Sequence, residues 1–166
     1  RVTGGQISNI DGLLKSEVGS ADFYFVNPAG IVFGDSAQID VPAAFYASTA
    51  AKLNFSDGTS FDSVNPQGSQ LTMATPDSFG FTSDHTGSII LDGSSLRFEP
   101  KNIVSLSATD IELNHSELKT TSGKIKLNAI GNNIADLPLD NAVDEGISGK
   151  IIINNNSLLN TSGDGT

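Results

Sequence analysis

Along the second half of the chain, apolar residues recur in pairs spaced i, i+2: Ile89/Leu91, Leu96/Phe98, Val104/Leu106, Ile111/Leu113 and Ile125/Leu127, with Leu118 alone between the last two. Within each pair the alternation has period two, the pattern of a strand with one buried face. The pairs start about seven residues apart, a spacing that a coiled-coil heptad shares. The gaps decide against a helix, because they are filled with Gly, Ser, Asn, Asp and Thr, residues that favour corners. Three strands and their corners make a unit of about 21 or 22 residues, relating Ile89 to Ile111, Leu96 to Leu118 and Val104 to Ile125. That period predicts an all-β, parallel β-helix in which three-faced coils stack on one another.

A longer echo supports the stack. The run from Ile111 to Gly123 returns from Ile151 to Gly163, offset by 40 residues. The offset is either one coil plus an insertion at 131–149, which is acidic, Pro-containing and poorly alternating, or two coils of about 20. The span 54–86, with much Gly, Ser, Asp and Pro and isolated Phe55, Phe61, Phe79 and Phe81, reads in two ways. It is either an ordinary loop or an excursion carrying an antiparallel hairpin whose Phe side chains pack back on the stack. Asn114, Asn128 and Asn154 follow apolar pairs at corresponding positions, and are read as a ladder of corner amides rather than a ligand site.

In the first half, Phe23-Tyr24-Phe25-Val26 and Val32-Phe33 flank the block Asn27-Pro28-Ala29-Gly30-Ile31. Asn, then Pro, then Gly at the fourth position is type I turn chemistry, since Pro presets φ and Asn bonds locally to the backbone. The block reads as strand, sharp corner, strand.

Composition narrows the function. A chain of 166 residues fits one domain. A net charge of −10, with nine basic residues spread thinly, lacks the cationic patch a nucleic-acid binder needs. No run approaches the roughly 18 apolar residues of a membrane span. His85 and His115 are the two imidazoles, thirty residues apart, and with no cysteine they make no zinc spacing. His115 is expected at the surface. Asp136, Asp140, Asp144 and Glu145 cluster in the suspected insertion, and a solvated acidic loop is the preferred reading over a glycosidase pair. Neither the phosphate-loop nor the dinucleotide glycine pattern occurs. Ser162-Gly163-Asp164-Gly165 is similar to the calcium repeats of exported toxins, but in one copy. No cofactor and no metal are implied.

The Asn-Pro block has company. Arg1-Val2-Thr3-Gly4-Gly5, Ser8-Asn9-Ile10-Asp11-Gly12 and Ala21-Asp22 lead into it, Gly34 closes it, and Ala37 to Ala51 follow. With Thr75-Pro76-Asp77-Ser78-Phe79-Gly80-Phe81 and Gly123-Lys124-Ile125-Lys126-Leu127, these resemble the filamentous haemagglutinin-type two-partner secretion, or haemagglutination activity, domain in its cyanobacterial and large Gram-negative exoprotein variety. The resemblance implies a right-handed β-helix that is no enzyme. It implies recognition by the periplasmic domains of an outer-membrane β-barrel transporter, templated folding of a large adhesin-like protein behind it, and a final place outside a Gram-negative cell, secreted or at its surface, reached through the periplasm. Carried over as recognition or structural turn residues are Asn27, Pro28, Gly30 and Ile31, with Ala29 where the family most often has Asn. Folding and direct recognition remain equal readings of the block.

The resemblance also implies a capping segment before Arg1, and further coils are expected after Thr166, with 54–86 and 131–149 as excursions from one domain spanning 1–166. The first alternative function is an adhesive module binding glycans or a host-cell surface, for which Tyr24, Tyr46 and the loop phenylalanines are the available platform. The second is a β-helix carbohydrate-active enzyme, which needs convergent acids in a groove.

Overall fold

The computed structural model describes residues 5–67, 69, 71–84, 87–140 and 148–163. Among them are eighteen strands and no helix. A first round of three strands comprises β1 (Ser8–Ile10), β2 (Leu13–Lys15) and β3 (Phe23–Val26), and a second β4 (Ile31–Phe33), β5 (Gln38–Asp40) and β6 (Phe45–Ser48). The chain then leaves the rounds for β7 (Lys52–Phe55), β8 (Ser60–Asp62) and β9 (Pro76–Phe81). A third round follows as β10 (Ile89–Asp92), β11 (Ser95–Phe98) and β12 (Ile103–Ala108), and a fourth as β13 (Ile111–Asn114), β14 (Glu117–Thr120) and β15 (Lys124–Ala129). After β16 (Ala135–Pro138) come β17 (Ile151–Asn154) and β18 (Leu158–Asn160).

Corresponding strands of successive rounds pair in parallel. One sheet runs β1-β4-β10-β13-β17; a second face carries β2-β5 and β11-β14-β18; a third sheet runs β15-β12-β6-β3. The registers are those the sequence spacing predicts, with Ile89 opposite Ile111, Leu96 opposite Leu118 and Val104 opposite Ile125. Ile111 pairs directly with Ile151, so β13 and β17 are hydrogen-bonded neighbours and no round lies between them. These parallel sheets are compatible with a β-helix.

Inside the rounds, like residues stack on like. Ile31, Ile89 and Ile111 form one fully buried column, Phe33, Leu91 and Leu113 the next, and Leu96 with Leu118 a third. Such columns follow from parallel in-register pairing, which places each side chain one strand spacing, about 4.8 Å, from its counterpart. Phe45 lies at the centre, with Phe23 stacked 5.9 Å away, Phe33 edge-on at 6.4 Å and Phe98 tilted at 5.6 Å.

A second core lies outside the rounds. β16, β9, β7 and β8 make an antiparallel sheet in that order. Its Leu53, Phe55, Phe79, Phe81 and Leu137 pack with Tyr46 and half-buried Tyr24, Val26 and Phe61. The third sheet is therefore covered on both faces. Period-two patterning expects its outward serines to meet water, yet Ser48, Ser105 and Ser107 are buried. Because β16 belongs to one departure from the rounds and β9 to the other, the two departures share one sheet.

The corners are polar and local. Ser94 N–H donates to Ser116 Oγ, and Ser116 N–H to Ser157 Oγ, each at 3.0 Å, so a serine column runs up one corner. Beside it Asn114 Nδ2 donates to Asp92 Oδ1 and Asn155 Nδ2 to Asn114 Oδ1. Asn128 lies on the third sheet, donating to Ser107 Oγ at 3.1 Å. The three asparagines expected to stack are thus not one ladder, because Asn128 follows a different face and Asn155 rather than Asn154 makes the amide contact. His115 is exposed in a left-handed corner, φ 51°, whereas the next corner uses Asn155 and Asn156, both left-handed. That extra residue moves the β14 to β18 register by one, setting Glu117 against Leu158.

Candidate functional site

The block that stands out in the sequence is a tight corner between β3 and β4. Gly30 N–H closes it on the Asn27 carbonyl at 3.1 Å. Neither Pro28 nor Ala29 has a left-handed φ, as a type I turn requires. Gly30 does, at φ 122°, a conformation L side chains rarely adopt, and a Cβ there would stand 3.2 Å from the Ser88 carbonyl.

Asn27 is 2% exposed and uses its whole amide. Oδ1 accepts from Ala29 N–H at 3.0 Å, an Asx contact within the turn. Nδ2 donates to the Gln6 carbonyl at 2.9 Å and to Ser8 Oγ at 2.8 Å, at the start of β1. Its backbone N–H donates to the Ser48 carbonyl of the next round. One side chain thus ties the first round to the corner that begins the second. Ile31, fully buried, passes its N–H to the Ser88 carbonyl at 3.0 Å, which joins the corner to the third round. Pro28 and Ala29 are half-buried. Next to the corner, an apolar cleft of about 360 Å³ opens between β3 and the antiparallel sheet, lined by Tyr24, Phe25, Val26, Leu53 and Phe61 among others. It is a place for apolar contact, and among the described residues no convergent polar groups line it.

The sequence matches the family model of the TPS secretion domain over residues 1–164. The chain belongs to that family. No curated protein and no solved structure matches it. As a TPS domain it has a role in a two-partner secretion exoprotein, and the family is a secretion-targeting one rather than a catalytic one. Membership implies a dedicated outer-membrane transporter as partner and a secreted or outer-membrane-associated exoprotein of a Gram-negative bacterium. No helix among the described residues is long and apolar enough to cross a membrane.

The other sequence-predicted features are scattered in this TPS domain. Asp136 is exposed and accepts from Asn54 Nδ2 at 3.1 Å, and Asp140 is exposed. Asp144, Glu145, His85, Asp164, Gly165 and the first four residues of the Arg-Val-Thr-Gly-Gly stretch lie outside the described residues. Among those described, no group of His, Asp and Glu is placed to hold a metal ion.

Tyr24 and Tyr46 stack face to face, ring centroids 4.7 Å apart and planes 3° from parallel, with the edge of Phe79 against Tyr24. They belong to the second core, and none of the nine Phe and two Tyr is exposed. Burial pushes the Tyr24 hydroxyl well above its ordinary value of 10.0, with the neighbouring Tyr46, Asp22 and Asp140 adding to the shift. Burial, then Asp22 and Asp140, raises Tyr46 too. A folded pKa above the unfolded one means that this contribution to stability is complete below pH 10 and lost as pH rises beyond it. In an alkaline titration the tyrosinate absorbance is therefore expected to lag the free-tyrosine curve and to rise in step with loss of circular dichroism. Ionisation of both tyrosines near pH 10 with the fold intact would refute the buried stack.

Sequence reasoning missed Gly87. Its carbonyl accepts from Thr49 Oγ1 at 2.8 Å, and it presses on the Asn-Pro corner so closely that a Cβ would lie 2.7 Å from Gly30 N. One Gly after a polar stretch carries no local signal, since the demand for it comes from a corner far back along the chain.

Proposed function

We propose that this domain is the secretion-targeting module of a two-partner exoprotein, recognised in the periplasm by the domains of an outer-membrane β-barrel transporter. Its rounds form a right-handed parallel β-helix that, once exported, templates the folding of a large surface adhesin-like protein behind it. The observation that carries this reading is the family match across nearly the whole chain. The unbroken in-register pairing of β4, β10, β13 and β17 supports the β-helix and its use as a template, because each strand is the hydrogen-bonding edge for the next. The domain is a single unit over 1–166, with 54–86 and 131–149 as excursions.

Within the Asn27–Ile31 motif the roles divide. Asn27, Gly30 and Ile31 are buried and committed to internal contacts, which supports a folding role for them. Pro28 and Ala29 keep part of their surface and are the atoms a partner can touch. No observation favours the adhesive alternative, whose aromatic platform of Tyr24, Tyr46 and the loop phenylalanines is buried or half-buried in the second core, or the carbohydrate-active one.

The test is titration of the folded domain with the transporter's periplasmic domains. Saturable binding is expected, weakened at least tenfold by Ala29→Arg with an unchanged melting temperature. A folded domain that does not bind would refute recognition of the native state. Undiminished binding by Ala29→Arg would move the contact away from this corner.

A further inference from the structure

On the side where the third sheet hands the chain to the first, corners of two kinds alternate. The corners at 27–30 and at Thr109-Asp110 are tight, joining β3 directly to β4 and β12 directly to β13. The other two are open, because the chain departs after Thr49 and after Ile130 and rejoins at Gly87 and Gly149. Both rejoining residues are glycines in close contact with the stack, Gly87 seated on the tight corner at 27–30 and Gly149 wedged between the tight corner at Thr109 and Ala129, just before the second departure. A Cβ on Gly87 would lie 2.7 Å from Gly30 N and 2.9 Å from the Ala29 carbonyl carbon, and would also meet the Pro28 carbonyl oxygen. A Cβ on Gly149 would lie 2.5 Å from the Ala129 carbonyl carbon and would also meet the Thr109 carbonyl oxygen. Neither glycine has a left-handed φ, so backbone conformation does not call for glycine there. Close approach does.

The bonds beside them correspond. Ser88 carbonyl accepts from Ile31 N–H at 3.0 Å, and Lys150 carbonyl accepts from Ile111 N–H at 2.9 Å. Gly87 carbonyl takes Thr49 Oγ1 from the point of departure and, at 3.2 Å, Thr109 N–H from the following round. Lys150 N–H donates to Asp110 Oδ1 at 2.7 Å.

We infer that Gly87 and Gly149 set the register at which the chain rejoins the parallel stack after each excursion. Such a device is needed because alternation alone does not fix register. A slip of two residues would keep Ile89 and Leu91 facing inward while pairing them with the wrong partners. Thr49 and Gly87 are 38 residues apart, and loop-closure entropy varies too slowly with length to choose between neighbouring registers. A glycine that alone can reach contact with the corner beneath makes one register closer packed than its neighbours. The excursions are then free in length and the stack is not.

The test is amide hydrogen exchange on Gly87→Ala and Gly149→Ala, with Gly19→Ala as control, since a Cβ on Gly19 meets nothing within 4 Å. Gly149→Ala acts on the round of β17 and β18, which follows the four already described, so those earlier rounds keep the domain folded. It is expected to speed exchange at Ile111 and across β17 at least tenfold, leaving Ile31 and Ile89 unchanged. Gly87→Ala is expected to do the same at Ile31 and Thr109. Wild-type exchange at Ile111 and β17 in Gly149→Ala would overturn the inference, and so would a uniform loss of protection across all rounds. If Gly87→Ala fails to fold, the Gly149 arm decides alone.

Discussion

Phe45→Ala is expected to lower the unfolding free energy by about 3–5 kcal/mol, the range for emptying a fully buried aromatic site. Phe45 is 0% exposed and touches all three faces of the stack: Phe23 of the first round on its own sheet, Phe33 of its own round on the first, Phe98 of the third round on the second. No backbone shift in one round can refill that space, because each round is hydrogen-bonded to those above and below it. The site therefore belongs at the upper end of the range, where collapse is least available. In a urea titration the midpoint should fall with the slope unchanged. Leu71→Ala, at a position 77% exposed, should alter it by no more than about 0.5 kcal/mol. A loss under about 1.5 kcal/mol at Phe45 would mean that the three faces can close on one another.

How much of this was legible in the sequence depends on how far away each determinant lies. The third and fourth rounds could be read residue by residue, since their corners are short and two rounds share one spacing; Ile89 to Ile111 is both the pattern and the register. The Asn-Pro corner was equally plain, because Pro28 and Asn27 impose a turn within four residues. The outer covering of the third sheet was not. Ser105 and Ser107 occupy the polar phase of an alternating strand, yet they are buried on the face they share with Tyr46, which the antiparallel sheet built from distant segments covers. The serine column at Ser94, Ser116 and Ser157 was hidden for another reason: serine is common in every gap, and the one-residue longer corner at Asn155-Asn156 breaks its spacing. Of the corner's partners, Gly87 could not be inferred locally, because the close approach that demands a glycine there is made by Pro28, Ala29 and Gly30, nearly sixty residues back.

Asn27→Ala is expected to cost about 2–3 kcal/mol, because it deletes together three hydrogen bonds of one buried amide, each contributing about 0.5–1.5 kcal/mol. The Gln6 carbonyl, Ser8 Oγ and Ala29 N–H all lose a partner at once, and the bonds that tie the first round to the corner go with them, although water can reach exposed Gln6 and half-buried Ser8 and Ala29. Asn27→Asp should be no milder at neutral pH. It keeps the acceptor for Ala29 N–H but turns a carboxylate toward the Gln6 carbonyl, which favours the protonated acid and raises its folded pKa. The sign follows: a raised folded pKa gives a contribution present below the unfolded value and lost as pH rises, so Asn27→Asp should gain on Asn27→Ala in acid and lose the advantage toward neutrality. The same variants separate folding from recognition. If Asn27 acts by holding the first round to the second, Asn27→Ala should bind the transporter's periplasmic domains normally at a temperature where circular dichroism shows it folded, and weakly only as it melts. A folded Asn27→Ala domain that no longer binds would instead make the side chain part of the recognised surface, which requires the corner to open when the transporter engages it.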